Sequence, residues 1–586
     1  MKFSQLATYI EKIENTSSRL EITNLLAKLF RELSKEEIGN TVYLLQGRLV
    51  PLYENTEFGM AEKTVVKAAI LALNIEKKYF DDKNKTAGDL GKTVEFFKKQ
   101  YPSLEQKDFS INEVYQQLFR MATSTGNGSQ ELKINIMADL IRRIDPLSSR
   151  YLVRIPLGIM RLGFSDMTVL DSISWMLTGD KSLRPIIEKA YHVRPDLGFI
   201  TQLAKSDGVD GLDKINPKLF TPIIMMRAER LSSGHEIIEK IGQCLIEPKY
   251  DGFRLQVHYR KSSKFKVQSS KSDDVRLYSR SLENVTFMYP DIVEAVKREV
   301  DADEVIFEGE AIGYDPKNNR FLPFQETVQR KRKYGIEEKI KEIPLKLFAF
   351  ELLYLNGKSY LDANFQGRRK TLERAVKISG DVTKDNILLA PEQIVAEDKK
   401  IEALFEDAIG RGLEGIIAKK LTGIYQPGAR GWNWIKLKRS YTSKINDTID
   451  CLVMGYDLGR GKRTGFGIGA FLVGIYDEQN DRFVTVAKIG TGLSDEEWKK
   501  LKAQSAKLKV KNKPNNYIVD KMTECNVWIA PAIVVEIKAD EISRSPVHTA
   551  KYALRFPRLQ KFRNDKLPNQ ITTLVELEKI YKLQQH

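Results

Sequence analysis

The sequence predicts a multidomain chain with an all-α N-terminal domain over residues 1–218, an α+β domain over 219–442 and a small C-terminal β-barrel over 443–586. Three observations predict it. Apolar residues recur at helical spacing up to the Pro-punctuated stretch Lys-Ile-Asn-Pro-Lys-Leu-Phe-Thr-Pro (214–222). Strand-like and helix-like runs then mix as far as Arg-Ser-Tyr-Thr-Ser-Lys (439–444). Beyond it come short alternating runs, Ile-Asp-Cys-Leu-Val-Met-Gly-Tyr and Ala-Phe-Leu-Val-Gly-Ile-Tyr among them, the pattern of a small barrel of the oligonucleotide-binding kind. At 586 residues the chain exceeds what one hydrophobic core supports.

Within the helical domain, Arg-Ile-Pro-Leu-Gly-Ile-Met-Arg-Leu-Gly-Phe-Ser (154–165) mixes glycine, small residues and arginine, as a surface offering backbone to phosphate would. A turn between core helices is the alternative. Gly88-Asp-Leu-Gly91-Lys92-Thr93 ends like a P-loop, but Thr86 stands where that loop needs its first glycine.

The α+β domain carries the chemistry. In Glu-Pro-Lys-Tyr-Asp-Gly-Phe-Arg (247–254), Lys249 is a candidate nucleophile. Asp251 can orient it or hold a ribose, Gly252 permits a turn, and Arg254 brings a phosphate-matching fork. The plain alternative is a strand end followed by an Asp-Gly turn.

Leu-Tyr-Ser-Arg-Ser-Leu-Glu-Asn (277–284) sets Arg280 just after an apolar run. Val-Ile-Phe-Glu-Gly-Glu-Ala-Ile-Gly (305–313) reads as a buried strand interrupted by Glu308 and Glu310, which is costly unless those carboxylates bind a cation or accept hydrogen bonds. Leu-Lys-Leu-Phe-Ala-Phe-Glu-Leu-Leu-Tyr-Leu-Asn-Gly (345–357) is a strand ending at a turn, with Phe348 and Phe350 expected on one face. Either ring could meet a base, and core filling is the competing role.

Leu-Glu-Gly-Ile-Ile-Ala-Lys-Lys (413–420) again sets an acid, Glu414, beside a buried strand, and two such acids suit Mg²⁺. In Tyr-Gln-Pro-Gly-Ala-Arg-Gly-Trp-Asn-Trp-Ile-Lys-Leu-Lys (425–438), Lys436 and Lys438 lie two apart on a strand, so both ammonium groups point to one side. Edge protection is the other use of such lysines.

These segments, in this order, resemble the covalent nucleotidyltransferase superfamily, and specifically the ATP-dependent DNA ligases of archaeal and eukaryotic replication. The resemblance spans nearly the whole chain. It implies a DNA-binding domain, an adenylation (nucleotidyltransferase) domain and an oligonucleotide-binding-fold domain. It implies that Lys249 is adenylated, that Glu247 reads the adenine amino group and that Phe350 stacks on adenine. Arg254 and Arg280 would contact sugar and phosphate, and Arg430, Lys436 and Lys438 would grip phosphates. Glu310 and Glu414 would be the ribose or metal carboxylates. The expected cofactors are ATP and Mg²⁺ or another divalent metal.

Near the end, Leu-Arg-Phe-Pro-Arg-Leu-Gln-Lys-Phe-Arg-Asn-Asp-Lys (554–566) is similar to the family segment that orients pyrophosphate, which implies that role for Arg555, Arg558, Asp565 and Lys566. Gly-Arg-Gly-Lys-Arg-Thr-Gly (459–465) is a cationic loop, the glycines of Gly465-Phe-Gly467-Ile-Gly469 read as a hairpin, and residues around 269–274 read as a lengthened hairpin loop. The implied activity is sealing of 5′-phosphate/3′-hydroxyl nicks in duplex DNA through a lysyl-AMP intermediate, in replication, repair and recombination. An RNA ligase or capping guanylyltransferase would share Lys249 and its neighbours but resembles the long helical domain less well. A non-catalytic DNA scaffold would show decayed motifs, and these are intact.

Composition agrees. The 94 Lys and Arg against 78 Asp and Glu give +16, which suits a polyanion such as nicked DNA. Cys244, Cys451 and Cys525 lie far apart, which excludes a disulfide framework and the four-cysteine zinc module of NAD-dependent bacterial ligases. His192, His235, His258, His548 and His586 form no visible metal pattern. The start, Met-Lys-Phe-Ser-Gln-Leu-Ala-Thr-Tyr, lacks an apolar signal core, and no run is long enough to span a membrane, so a cytoplasmic, nucleoid-associated monomer is expected. Gln106-Lys-Asp-Phe109 loosely resembles a docking motif for a sliding clamp, the other candidate partner.

Overall fold

The computed structural model describes residues 1–102, 105–261, 274–332, 334–377, 379, 381–438, 448–459, 467–490, 493–539 and 541–583. The chain divides into two compact units, Met1–Leu437 and Lys438–His586.

The first unit begins with helices, from Phe3–Glu14 to Leu197–Asp213, and no strand interrupts them among the described residues. Their ends follow capping chemistry. Ser110 and Glu113 close a reciprocal box at the start of Ile111–Thr123, and Asp145 accepts from Ser148 with Pro146 in the first turn of Pro146–Arg154. Their apolar stripes merge into one core that runs from Phe3 to Leu212.

The P-loop look-alike is ordinary helix packing. Asp89 caps the helix Leu90–Gln100, and a Cβ at Gly91 would stand 2.5 Å from the Arg150 carbonyl oxygen, so glycine there allows two helices to touch. In 154–165, Arg154, Ile155, Met160 and Leu162 are buried while Gly158, Ile159, Arg161 and Gly163 face outward. The segment is thus both a turn between core helices and an exposed, glycine-bearing surface. Phe109, in the considered clamp motif, is buried in the helical core, and its carbonyl accepts from the Phe3 amide at 2.8 Å, so that segment is committed to the fold.

The rest of this unit holds two sheets. One has the order Arg227–Arg230, Arg430–Lys438, Gly415–Lys420, Cys244–Lys249, Gln393–Val395. The other runs Asp274–Ser279, Phe253–Arg260, Glu304–Asp315, Leu345–Leu355, Lys358–Ser359, with Arg320–Phe321 and Ile387–Leu389 joined at the side. Asn356 and Gly357 turn the chain with φ of 45° and 88°, as a tight hairpin requires. The helices Gly234–Ile241 and Asp398–Gly410 cover one face of the first sheet through Ile237, Ile246, Ile401, Ile435 and Leu437. By strand alternation Glu247, Lys249, Trp434 and Lys436 take the other face.

In the second unit, Ile449–Leu458 pairs with Ile468–Asp477 and with Val534–Lys538, and Ile468–Asp477 pairs with Arg482–Ile489. The region is strand-rich as expected, but the sheet path ends at Lys509–Val510 and Tyr517–Ile518 with no closing pair among the described residues. The first strand is covered on both sides, Cys451 and Val453 joining one cluster and Leu452 and Met454 another. The Gly459 amide donates to the Gly467 carbonyl, so these glycines do belong to a hairpin. Residues 269–273, 460–466 and 439–444 lie outside the described set, as do the loop and boundary readings that fall on them.

Candidate active site

Lys249 ends its strand on the face away from the helices, and its Nζ is ion-paired with Glu414. The pairing is anchored in the backbone, because the Glu414 amide donates to the Lys249 carbonyl at 3.1 Å. Gly252 then passes so close to the neighbouring strand that a Cβ would sit 2.3 Å from the Ala311 oxygen. The glycine therefore serves a close approach more than a turn.

Glu308 and Glu310 share a face of Glu304–Asp315 but have different surroundings. Glu308 is fully buried. It is ion-paired with Arg254, receives the Tyr425 hydroxyl at 3.0 Å and receives Gln256 Nε2 at 3.1 Å. Glu310 is half-buried, and burial, with smaller pushes from Glu414 and Asp251, raises it to about 7 against the opposing pull of Lys249 and Arg254. Glu310, Glu414 and Lys249 thus form one electrostatic group. Two carboxylates near one lysine fit a divalent cation, whose charge would relieve their repulsion and whose other oxygens would come from phosphate and water. Among the described residues no larger cluster of metal-ligating side chains exists.

Arg254 donates to the Met226 carbonyl at 2.8 Å and lies 5.3 Å from the Phe350 ring and 5.1 Å from that of Trp434. Burial alone would depress it, but Glu308, Tyr425 and Glu310 together more than reverse that and raise it. Phe350 meets Trp434 edge-on, with centroids 6.0 Å apart.

The two phenylalanines share the face opposite Leu347 and Ala349, as strand alternation predicts, but pack at different places on it. Gly309 pairs with Ala349 and Glu308 with Glu351, so Phe350 is the extra residue of a β-bulge. Phe348 stacks on Tyr250 at 4.2 Å and is buried with Ile312 and Leu388, whereas Phe350 turns to the Trp434 cluster.

Glu247 is buried and receives Lys419 Nζ at 2.7 Å on Oε2, while Oε1 stands 3.9 Å from Arg369 Nη1. Burial pushes Glu247 up and Lys419 down, each shift opposed by the other's charge. Lys436 and Lys438 are half-buried at the end of their strand, and Arg430 at its start is exposed. Arg280 is exposed after Asp274–Ser279 and makes no ion pair among the described residues. The structure therefore gathers Lys249, Glu247, Arg254, Glu310, Phe350 and Glu414, and leaves Arg280 and Arg430 at the surface.

Lys419, Tyr425, Trp434 and Arg369 belong to this cleft and were not singled out from sequence. Neither was Glu351, which binds Arg368 through two hydrogen bonds of 2.7 and 2.9 Å. The rule applied to Glu308 and Glu310, a charge inside an apolar strand, also marks Lys419 and Glu351. Nothing comparable marks Arg369, which lies on a charged helix. His258, read as structural, is buried against Gln256 and the Phe220 amide and is pushed down to about 3 by burial. In the second unit Lys566 is 2.6 Å from Asp450, and Asp565 is 2.7 Å from Arg563.

Comparison with known proteins defines the class first. Residues 2–174 match the DNA ligase N terminus, 225–438 the ATP dependent DNA ligase domain and 464–566 the ATP dependent DNA ligase C terminal region. A probable DNA ligase of Dictyoglomus turgidum is 45% identical over 99% of this chain and 98% of its own. DNA ligase 2 of Thermofilum pendens is 40% identical and the DNA ligase of Sulfurisphaera tokodaii 38%, each over 100% of this chain and 98% of theirs. A solved chain titled Pmar-Lig_PreS3, 16% identical, shares the fold with a TM-score of 0.53 over 95% of this chain and 99% of its own. The chain belongs to the ATP-dependent DNA ligases, whose general function is nick sealing through an adenylate intermediate.

Proposed function

We propose that Lys249 is the adenylated residue of this ligase. As the free amine its Nζ attacks the α-phosphorus of ATP, a P–N bond forms, the bond to the bridging oxygen breaks, and pyrophosphate leaves. AMP then passes to the 5′-phosphate of a nick, and the 3′-hydroxyl attacks that phosphate and expels AMP. The observation that carries this is the Lys249–Glu414 pair beside Glu310, with Arg254 next to them over the Phe350 and Trp434 rings.

In this reading Phe350 stacks on adenine, Glu247 accepts from its amino group, and Arg254 with Arg280 contacts sugar and phosphate. Arg430, Lys436 and Lys438 hold phosphates. Glu310 and Glu414 would hold Mg²⁺, which when bound neutralises developing charge on the phosphates. We assign residues 1–218 to DNA binding, 219–442 to adenylation and 443–586 to an oligonucleotide-binding fold. The partner is nicked duplex DNA, bound by a monomer in the cytoplasm, with a sliding clamp as a second partner that docks elsewhere than Gln106–Phe109. Among the described residues no helix is long and apolar enough to cross a membrane.

The test incubates the protein with α-phosphate-labelled ATP and Mg²⁺ and follows label on a denaturing gel and into a nicked duplex. Wild type should take label and chase it into sealed DNA, whereas Lys249→Ala should take none and still bind DNA. Label without DNA sealing would point to RNA or cap chemistry, and no label would remove the covalent route.

A further inference from the structure

Two buried polar atoms at the inner end of the cleft have no hydrogen-bond partner among the described residues: Glu247 Oε1 and Arg369 Nη1. Their side chains are 4% and 5% exposed, and the atoms stand 3.9 Å apart, beyond hydrogen-bond reach of each other. Orphaned buried donors and acceptors are costly, so a facing pair of them calls for a group that satisfies both.

The surroundings fix both atoms in place. Lys419 occupies the other Glu247 oxygen and lies 4.9 Å from the rings of Phe350 and of Trp434, so the free acceptor adjoins an aromatic shelf. Arg369, on the helix Phe365–Ala375, is anchored by Nη2 to the Ala390 carbonyl at 2.7 Å and by Nε to Glu392 at 2.8 Å, which leaves Nη1 aimed at Glu247. An acceptor and a donor side by side next to aromatic rings match the edge of a purine whose amino group donates while an adjacent ring nitrogen accepts.

We infer that Arg369 is a specificity residue of the nucleotide pocket. With Glu247 it reads adenine's amino group and the ring nitrogen beside it, and so rejects guanine and hypoxanthine, whose carbonyl oxygen would face the Glu247 carboxylate. This rests on the proposal that adenine enters this cleft and adds to it the residue and the edge that make the choice.

Self-adenylation of the full chain, read as kcat/KM, tests it with ATP, inosine triphosphate, 1-deaza-ATP and 7-deaza-ATP. Wild type should lose about ten- to hundredfold with inosine triphosphate and with one of the two deaza analogues, the one missing the nitrogen that Arg369 reaches. Arg369→Met should show a similar loss with ATP and no further loss with that analogue. If wild type uses both deaza analogues as well as ATP, or if the two losses multiply, Arg369 does not read the base. The wild-type series needs no variant, so poor folding of Arg369→Met leaves the question decidable. No label from ATP at all would instead defeat the lysyl-AMP proposal.

Discussion

The helical region and the proposed nucleotide site each bury a cluster of charges, and the two are finished differently. In the helical region Arg154, 3% exposed, is 3.1 Å from Glu14 and 2.8 Å from Asp89, while Arg150 reaches Glu95 and the Tyr151 hydroxyl donates to Glu14 at 2.8 Å. No side-chain polar atom of these residues is orphaned among those described, and Glu14, Asp89 and Glu95 are all held below the usual carboxylate range. Burial works against that in each case, and the neighbouring arginines, with Lys99 and hydrogen bonds from Tyr151 and the Lys92 amide, outweigh it. In the cleft the balance reverses: Glu247 and Glu310 are pushed up, and Glu247, Arg254 and Arg369 each keep an unsatisfied atom. A closed network holds helices together, whereas the open one is what the proposal that a nucleotide completes it would require.

Breaking the closed cluster should give the largest loss of stability. Arg154→Ala leaves Glu14 and Asp89 facing each other without their shared cation, and such a loss costs about 3–5 kcal/mol. Chemical denaturation should show that drop, with adenylation per folded molecule unchanged. If adenylation falls as far as stability does, the helical cluster is not merely structural and the contrast fails.

The two phenylalanines sharpen it at closer range. Phe348 fills core against Tyr250, so Phe348→Ala should cost about 3 kcal/mol in stability. Phe350 is half-buried at the bulge, so Phe350→Ala should cost less than half as much in stability and raise the KM for ATP about tenfold. Measuring both quantities for both variants decides it, because equal patterns would mean the two rings play the same part.

This pair also shows where the sequence stops being informative. Strand alternation puts Phe348 and Phe350 on one face, and the structure agrees, but which ring fills core and which stands beside Trp434 leaves no mark in the residues Phe-Ala-Phe. By contrast, Lys249 was legible from its Lys-x-Asp-Gly-x-Arg segment, and Glu310 and Glu414 because a carboxylate in or beside an apolar strand is expensive and needs a reason. Arg369 was illegible for the opposite reason: in Gln-Gly-Arg-Arg-Lys it is one cation among several, and only the packing of its helix buries it. The strand-rich texture of the second unit could be read from alternation, but closure depends on pairings between distant segments that no local pattern carries.

The smallest effect is the most specific, because the two clusters should respond to pH with opposite sign. Glu310 holds its proton up to about 7 in the folded chain, against an ordinary carboxylate value of about 4.3 when unfolded. Its contribution to stability is therefore complete below the ordinary value and is lost as pH rises through about 7, with Lys249 and Arg254 limiting the loss and Glu414 and Asp251 adding to it. Glu14 and Asp89, held low by Arg154, contribute above the ordinary carboxylate range and lose that contribution as pH falls. Glu310→Gln carries no charge at any pH, so without nucleotide or divalent metal its unfolding midpoint should match wild type near about pH 4 and exceed it by a few degrees near about pH 8. Thermal unfolding at both values reads this directly. A Glu310→Gln gain that is the same at both would mean the carboxylate ionises normally in the folded cleft, and with it would go the argument that this group is held in reserve for a cation.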